Sequence, residues 1–88
     1  MSWRIEYLDV CRRQLDQLGP KVKAEILRFL REQVLEGDDP YTASRPLTGK
    51  WRGCVRFRID EYRVICTIEN KRLLVTAVKA GHRSDVYN

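Results

Sequence analysis

The chain contains one histidine, and its three cysteines form no C-x-x-C pair. His82 is therefore the only side chain whose ordinary pKa, about 6.5, lies near neutrality. Cys11, Cys54 and Cys66 are an odd number without metal-ligand spacing, which excludes a self-contained disulfide framework and the usual zinc pattern. Reduced thiols, no metal and no cofactor are expected. No apolar run approaches the roughly 20 residues of a membrane-spanning helix. The start, Met1-Ser2-Trp3-Arg4, does not open an apolar signal segment. A cytosolic protein without a membrane partner is expected. Repeats, low-complexity tracts and linkers are also missing, so the 88 residues read as one domain, 1–88, with a single modest core.

Acidic residues are scarce in the second half. Residues 1–44 hold seven Lys or Arg against eight Asp or Glu, whereas Arg45 to Asn88 holds ten against four. An excess of cations confined to part of a small domain is the electrostatic footprint of a nucleic-acid partner. The cations are also patterned. In Val55-Arg56-Phe57-Arg58-Ile59, arginines alternate with apolar residues at the period of a strand, one face core and the other cationic. Tyr62 to Ile68 has strand composition. A two-residue turn at Asp60-Glu61 predicts Ile59 opposite Tyr62, Arg58 opposite Arg63, Phe57 opposite Val64, Arg56 opposite Ile65 and Val55 opposite Cys66. Like charges directly opposite cost a few tenths to about 1 kcal/mol. Folding gives no reason for that pairing; an anionic ligand does.

The remaining pattern predicts a strand over Trp3 to Leu8, then a helix from an N-cap at Asp9 to Leu18 with Cys11, Leu15 and Leu18 as its apolar stripe. Gly19 ends it and Pro20 starts a second helix, to about Glu36, with Val22, Ile26, Phe29, Leu30 and Val34 on one face. These read as core positions. Gly37 to Pro46 reads as a long loop. A third strand of the second half, Leu73 to Lys79, follows a turn at Asn70-Lys71 across which Glu69 and Arg72 can pair. The expected fold is α+β in the order β-α-α-β-β-β, an antiparallel helical hairpin packed on a mostly antiparallel sheet. Trp3 is expected to pack the sheet edge. Trp51, between Lys50 and Arg52, is the better candidate to face a ligand.

From Pro46-Leu47-Thr48-Gly49-Lys50-Trp51-Arg52-Gly53, through Arg56-x-Arg58 and Asp60-Glu61-Tyr62-Arg63-Val64, to Gly81-His82-Arg83-x-x-Val86-Tyr87, the chain resembles a RelE-type toxin of the RelE/ParE superfamily over essentially its whole length. The resemblance implies the toxic half of a type II toxin-antitoxin pair. It implies a ribosome-dependent endoribonuclease that cuts mRNA in the decoding site, neutralised by a cognate antitoxin and meeting operator DNA only through the antitoxin complex. It matches Arg56 and Arg58 to a basic pair that is often lysine in the family. Arg63 and Arg83 match its phosphate-stabilising arginines, and Tyr87 its C-terminal active-site tyrosine. The alternative within the superfamily is a non-catalytic, ParE-like inhibitor that binds DNA gyrase.

Metal-independent RNA cleavage uses the 2′-hydroxyl as nucleophile and needs a base, cations for the phosphorane oxygens and an acid for the leaving 5′-oxygen. Arg56, Arg58, Arg63 and Arg83 supply bidentate donors. An arginine almost never deprotonates, so proton transfer is expected to fall on His82, or on a carboxylate such as Glu61 or Asp85. Cys54, on the arginine face, is a weaker nucleophile candidate. The expected site is thus Arg56, Arg58, Arg63, His82, Arg83 and Tyr87, with Lys50, Trp51 and Arg52 contacting RNA or ribosome. With one residue after Tyr87, a mobile end is expected there.

Overall fold

The computed structural model describes residues 2–88. Its elements are β1 (Arg4–Tyr7), α1 (Asp9–Gln17), α2 (Pro20–Leu30), β2 (Ser44–Pro46), β3 (Val55–Ile59), β4 (Tyr62–Glu69) and β5 (Leu74–His82). Leu8, extended at φ −66° and ψ 151°, occupies the N-cap of α1. Asp9 is therefore the first helical residue and not the cap that its residue type suggests; there its carboxylate still meets the positive end of the helix dipole. Gly19 reverses the chain at φ 93°, and Pro20 enters α2 in its first turn. One π-helical turn, Arg31–Leu35, prolongs α2 and buries Val34, so the helical segment reaches nearly the expected end.

The five strands run in the order β1-β5-β4-β3-β2. β1 lies parallel to β5 and the other pairs are antiparallel. Two strand expectations need correction. Ser44–Pro46, inside the expected loop, pairs with Val55–Phe57 as an edge strand, a position that tolerates a proline. The last strand begins after Leu73, which turns the chain at φ 48°, and runs to His82 rather than to Lys79. The β3-β4 register is the expected one at all five pairs. Asp60, at φ 52°, supplies the left-handed residue that a two-residue hairpin turn requires.

Both helices cover one sheet face, α1 over β5 and α2 over β3. Cys11, Leu15, Ile26, Leu30 and Val34 from the helical layer meet Phe57, Val64, Cys66, Val75, Ala77 and Ala80 from the sheet, all buried. Phe29 meets Phe57 edge to face at 6.4 Å. A fully buried Phe57 contributes on the order of 2 to 3 kcal/mol through removal of its ring from water. Trp3 packs against this cluster as expected. Burial pushes the Cys11 thiol up to about 11 and the Tyr7 phenol up to about 12, and holds Cys66 in its neutral form.

Candidate active site

The other sheet face carries the cations in two rows that the register defines. Arg45, Arg56, Ile65 and Lys79 lie side by side across β2, β3, β4 and β5, and Arg58, Arg63 and Gly81 form the adjacent row across β3, β4 and β5. Neighbours within a row are about 5 Å apart and the rows are separated by about 7 Å along the strands, so Arg56, Arg58 and Arg63 converge as expected.

Arg58 is exposed and Arg56 half-buried, whereas Arg63 is only 9% exposed. Its Nη1 donates to the carbonyl oxygens of Asp60 and Tyr62, each at 2.9 Å. Burial and the repulsion of Arg58 and then Arg56 lower the Arg63 pKa, with Tyr87 nearby pulling the other way. Arg63 is thus a fixed cation braced by its own turn. Arg83 is held at the lip of that turn: its amide donates to the Glu61 carbonyl at 2.8 Å and its Nε lies 2.7 Å from Glu61 Oε2. The carboxylate offered as a base is therefore engaged by a site arginine.

His82 does not join this group. Between β4 and β5 the pairing passes from Ile65–Lys79 to Cys66–Ala77, which leaves Val78 as an extra residue. A bulge of this kind reverses the facing of everything beyond it. Strict alternation from the core residues Val75 and Ala77 would send His82 to the arginine face and Lys79 to the core. The bulge does the opposite. His82 is paired with Tyr62 on the helix-covered face, with the two rings edge to face at 5.8 Å. Its Nδ1 accepts the Ser84 amide at 3.2 Å and lies 2.8 Å from the Ser84 hydroxyl. The expectation that His82 stands among the arginines is corrected on this ground. Asp85 likewise lines a groove of about 260 Å³ with Gln14, Leu18 and His82 on the helix side.

Lys79 takes the vacated position, one that residue-type reasoning missed and that only the bulge reveals. Its Nζ lies 5.5 Å from the centre of the Trp51 ring, and Lys50 Nζ lies 5.7 Å from the same ring. Trp51 is half-buried between exposed Lys50 and Arg52, and its Nε1 donates to the Tyr87 carbonyl at 3.5 Å. The last residues carry several hydrogen bonds. Asp85 and Val86 amides donate to the His82 carbonyl, the Asn88 amide donates to the Asp85 carbonyl, and Val86 is buried against Gly81. Cys54 is half-buried, with its amide donating to the Trp51 carbonyl at 3.0 Å. Among the described residues no three His, Cys, Asp or Glu side chains converge, and no helix is long and apolar enough to cross a membrane.

Residues 5–87 match the family model described as the ParE toxin of the type II toxin-antitoxin system, parDE. Toxin RelG of Mycobacterium tuberculosis is 24% identical over 87 residues, covering 99% of this chain and 98% of that protein. Among solved structures, the RelBE2 toxin-antitoxin complex of the same organism matches with a TM-score of 0.78 at 24% identity, over 94% of this chain and 100% of that one. A mutant E. coli toxin RelE in the free state gives 0.71 at 19%, over 93% and 84%. The archaeal RelE-RelB complex from Pyrococcus horikoshii gives 0.70 at 20%, over 97% and 99%. At these identities the structural likeness shows a shared α+β fold.

Proposed function

The chain belongs to the family of ParE toxins of type II toxin-antitoxin systems, and from that premise we propose that it is a ribosome-dependent endoribonuclease that cuts mRNA in the decoding site. The observation that carries this reading is the sheet face opposite the helices, on which Arg56, Arg58 and Arg63 stand in register, with the Tyr87 segment tied beside them. Such a face is costly to folding and useful only against an anion.

The reaction follows from what these groups can do. The 2′-hydroxyl attacks the neighbouring phosphorus and gives its proton to water, the bond to the 5′-oxygen breaks and that oxygen takes a proton from water, giving a 2′,3′-cyclic phosphate and a 5′-hydroxyl. Arg56 and Arg58 bind the non-bridging oxygens, and Arg63, held rigid by two carbonyls, stabilises the charge that develops on them. Arg83 adds a fourth donor at the rim. Tyr87 stacks on a base or orients a hydroxyl. The cations are preorganised, and catalysis rests on them more than on an imidazole. Lys50, Trp51 and Arg52 contact the ribosome or its bound RNA. No metal or cofactor takes part.

The cognate antitoxin is the second partner. The solved relatives include RelE with RelB, and here the neutralising segment is acidic where it covers the arginines. Operator DNA is met only through that complex. The protein acts in the cytoplasm, where its ribosomes are.

Cleavage of mRNA on programmed ribosomes tests the reading. The expected product carries a 2′,3′-cyclic phosphate and persists in a chelator at constant ribosome integrity; a 3′-hydroxyl end overturns the mechanism. A second reading, inhibition of DNA gyrase, draws on the parDE description of the matching family model. Loss of supercoiling activity with mRNA left intact selects it.

A further inference from the structure

The bulge in β5 does more than move a histidine. It places an ammonium group under the last residues of the chain. Lys79 Nζ donates to the main-chain oxygen of Asn88 at 2.5 Å, and Trp51 Nε1 donates to the main-chain oxygen of Tyr87 at 3.5 Å. Two consecutive main-chain oxygens are thus captured from the sheet side. Lys79 also sits on the face of the Trp51 ring, so lysine and indole brace each other. Behind them Val86 packs on Gly81 at 3.6 Å from where a side chain would begin. The neighbouring turn bonds fix the amides of Val86 and Asn88. Tyr87 is the residue enclosed by all of these ties, and its phenol lies near enough to Arg63 to act on that cation.

We propose that Lys79 and Trp51 are positioning residues that latch the Tyr87 backbone and so aim its phenol at the reacting phosphate on the arginine face. This rests on the nuclease reading for its consequence, though the latch is measurable without it. Lysine suits the role because its flexible stem ends in a strongly hydrated point donor that reaches a carbonyl, whereas the neighbouring arginines keep planar forks for phosphate. A small misplacement of a reacting group costs on the order of 10²-fold in rate, so a latch remote from the phosphate has leverage on cleavage.

The test uses the full chain as Lys79→Met, Lys79→Arg and Trp51→Phe, each alone and with Tyr87→Ala. In the first and third, the ¹⁵N heteronuclear NOE of Tyr87 and Asn88 should fall toward that of a free end. Single-turnover cleavage on ribosomes should drop about 10- to 100-fold in both, and in Lys79→Met KM should change less than about twofold. Lys79→Arg, which retains a donor, should restore most of both. In the Tyr87→Ala background, Lys79→Met should add less than about a further twofold, since contacting groups that act as one unit are non-additive. An unchanged NOE in both variants overturns the latch. Full additivity with Tyr87→Ala, or a loss confined to KM, overturns positioning and makes Lys79 a plain phosphate ligand. A wild-type protein that leaves mRNA intact overturns the nuclease reading, and the NOE then decides the latch by itself.

Discussion

The two faces of the one sheet are made by the same strands under opposite rules. Beneath the helices, Val55, Phe57, Ile59, Val64 and Cys66 are each less than 9% exposed and pack as one cluster. On the other side, the residues that alternate with them bring Arg56, Arg58 and Arg63 together, and Arg63 is largely buried despite its charge. The first face lowers the free energy of the fold through buried apolar area. The second also buries Ile65 and Val86, but its arginines repel one another, and Arg63 is held by two backbone carbonyls. The proposed site lies on the face where like charges meet, because a cost to folding there is offset only by an anionic ligand.

The sharpest break of this contrast is a pair of neighbouring substitutions on β3. Phe57→Ala should cost about 3 to 5 kcal/mol of stability, a large share of what a small domain has, and should abolish activity by unfolding. Arg58→Gln, next to it and facing the other way, should leave urea unfolding unchanged or shifted up by no more than about 1 kcal/mol. It should nevertheless lose cleavage by about 10² to 10³. Equal destabilisation by both substitutions breaks the division of labour between the faces.

Alkaline pH sharpens the comparison from the helix side. Tyr7 is raised from 10.0 to about 12 and Cys11 from 9.0 to about 11, in each case mainly by burial. Between roughly pH 9 and 12 the unfolded chain has released these protons while the folded chain retains them. Stability is then fully present below pH 9 and declines as pH rises through the folded values. Partial solvation reduces the gain and the two groups interact, so the combined loss is on the order of 2 to 3 kcal/mol. Urea midpoints at pH 8 and pH 11.5 should show the loss, and Cys11→Ala should reduce the slope between them. A flat profile places both groups in water.

The smallest expected effect belongs to His82. Because the bulge turns it toward Tyr62 and Ser84, His82→Gln should leave single-turnover cleavage within about threefold and keep the shape of the pH-rate profile. A loss of about 10² together with a missing inflection near pH 6 to 7 would return the imidazole to the chemistry and sink the separation of faces at this end of β5.

Several features needed only the order of residues. Gly19-Pro20 allows no continuous helix, and the apolar period from Val22 to Val34 selects the buried side of α2. The Arg-x-Arg alternation in β3, with a two-residue turn after it, determines which cations share a face, because side-chain direction in a strand has a period of two and the turn length sets the register. That much of the site was legible. Ser44–Pro46 was not, since a three-residue edge strand carries almost no periodic signal and contains a proline. The Asp9 cap was also misplaced by one residue, because a carboxylate is favourable both at the cap and in the first turn.

The end of β5 lay beyond what the chain could specify locally. Whether Lys79 or His82 faces the arginines depends on one extra residue, Val78, which is accommodated where β5 leaves the parallel partner β1 at Tyr7–Ala77 and pairs onward with β4 alone. Nothing in Thr76-Ala77-Val78-Lys79 marks that slip, because an alternation shifted by one is as good a strand as the original. Only packing decides it: Ala80 needs to face the core and to give its amide to the Gln14 side chain on α1 at 2.9 Å, a contact across 66 positions of sequence. Residue order is enough to specify a cationic sheet face; which residues complete it depends on packing between segments far apart in the chain.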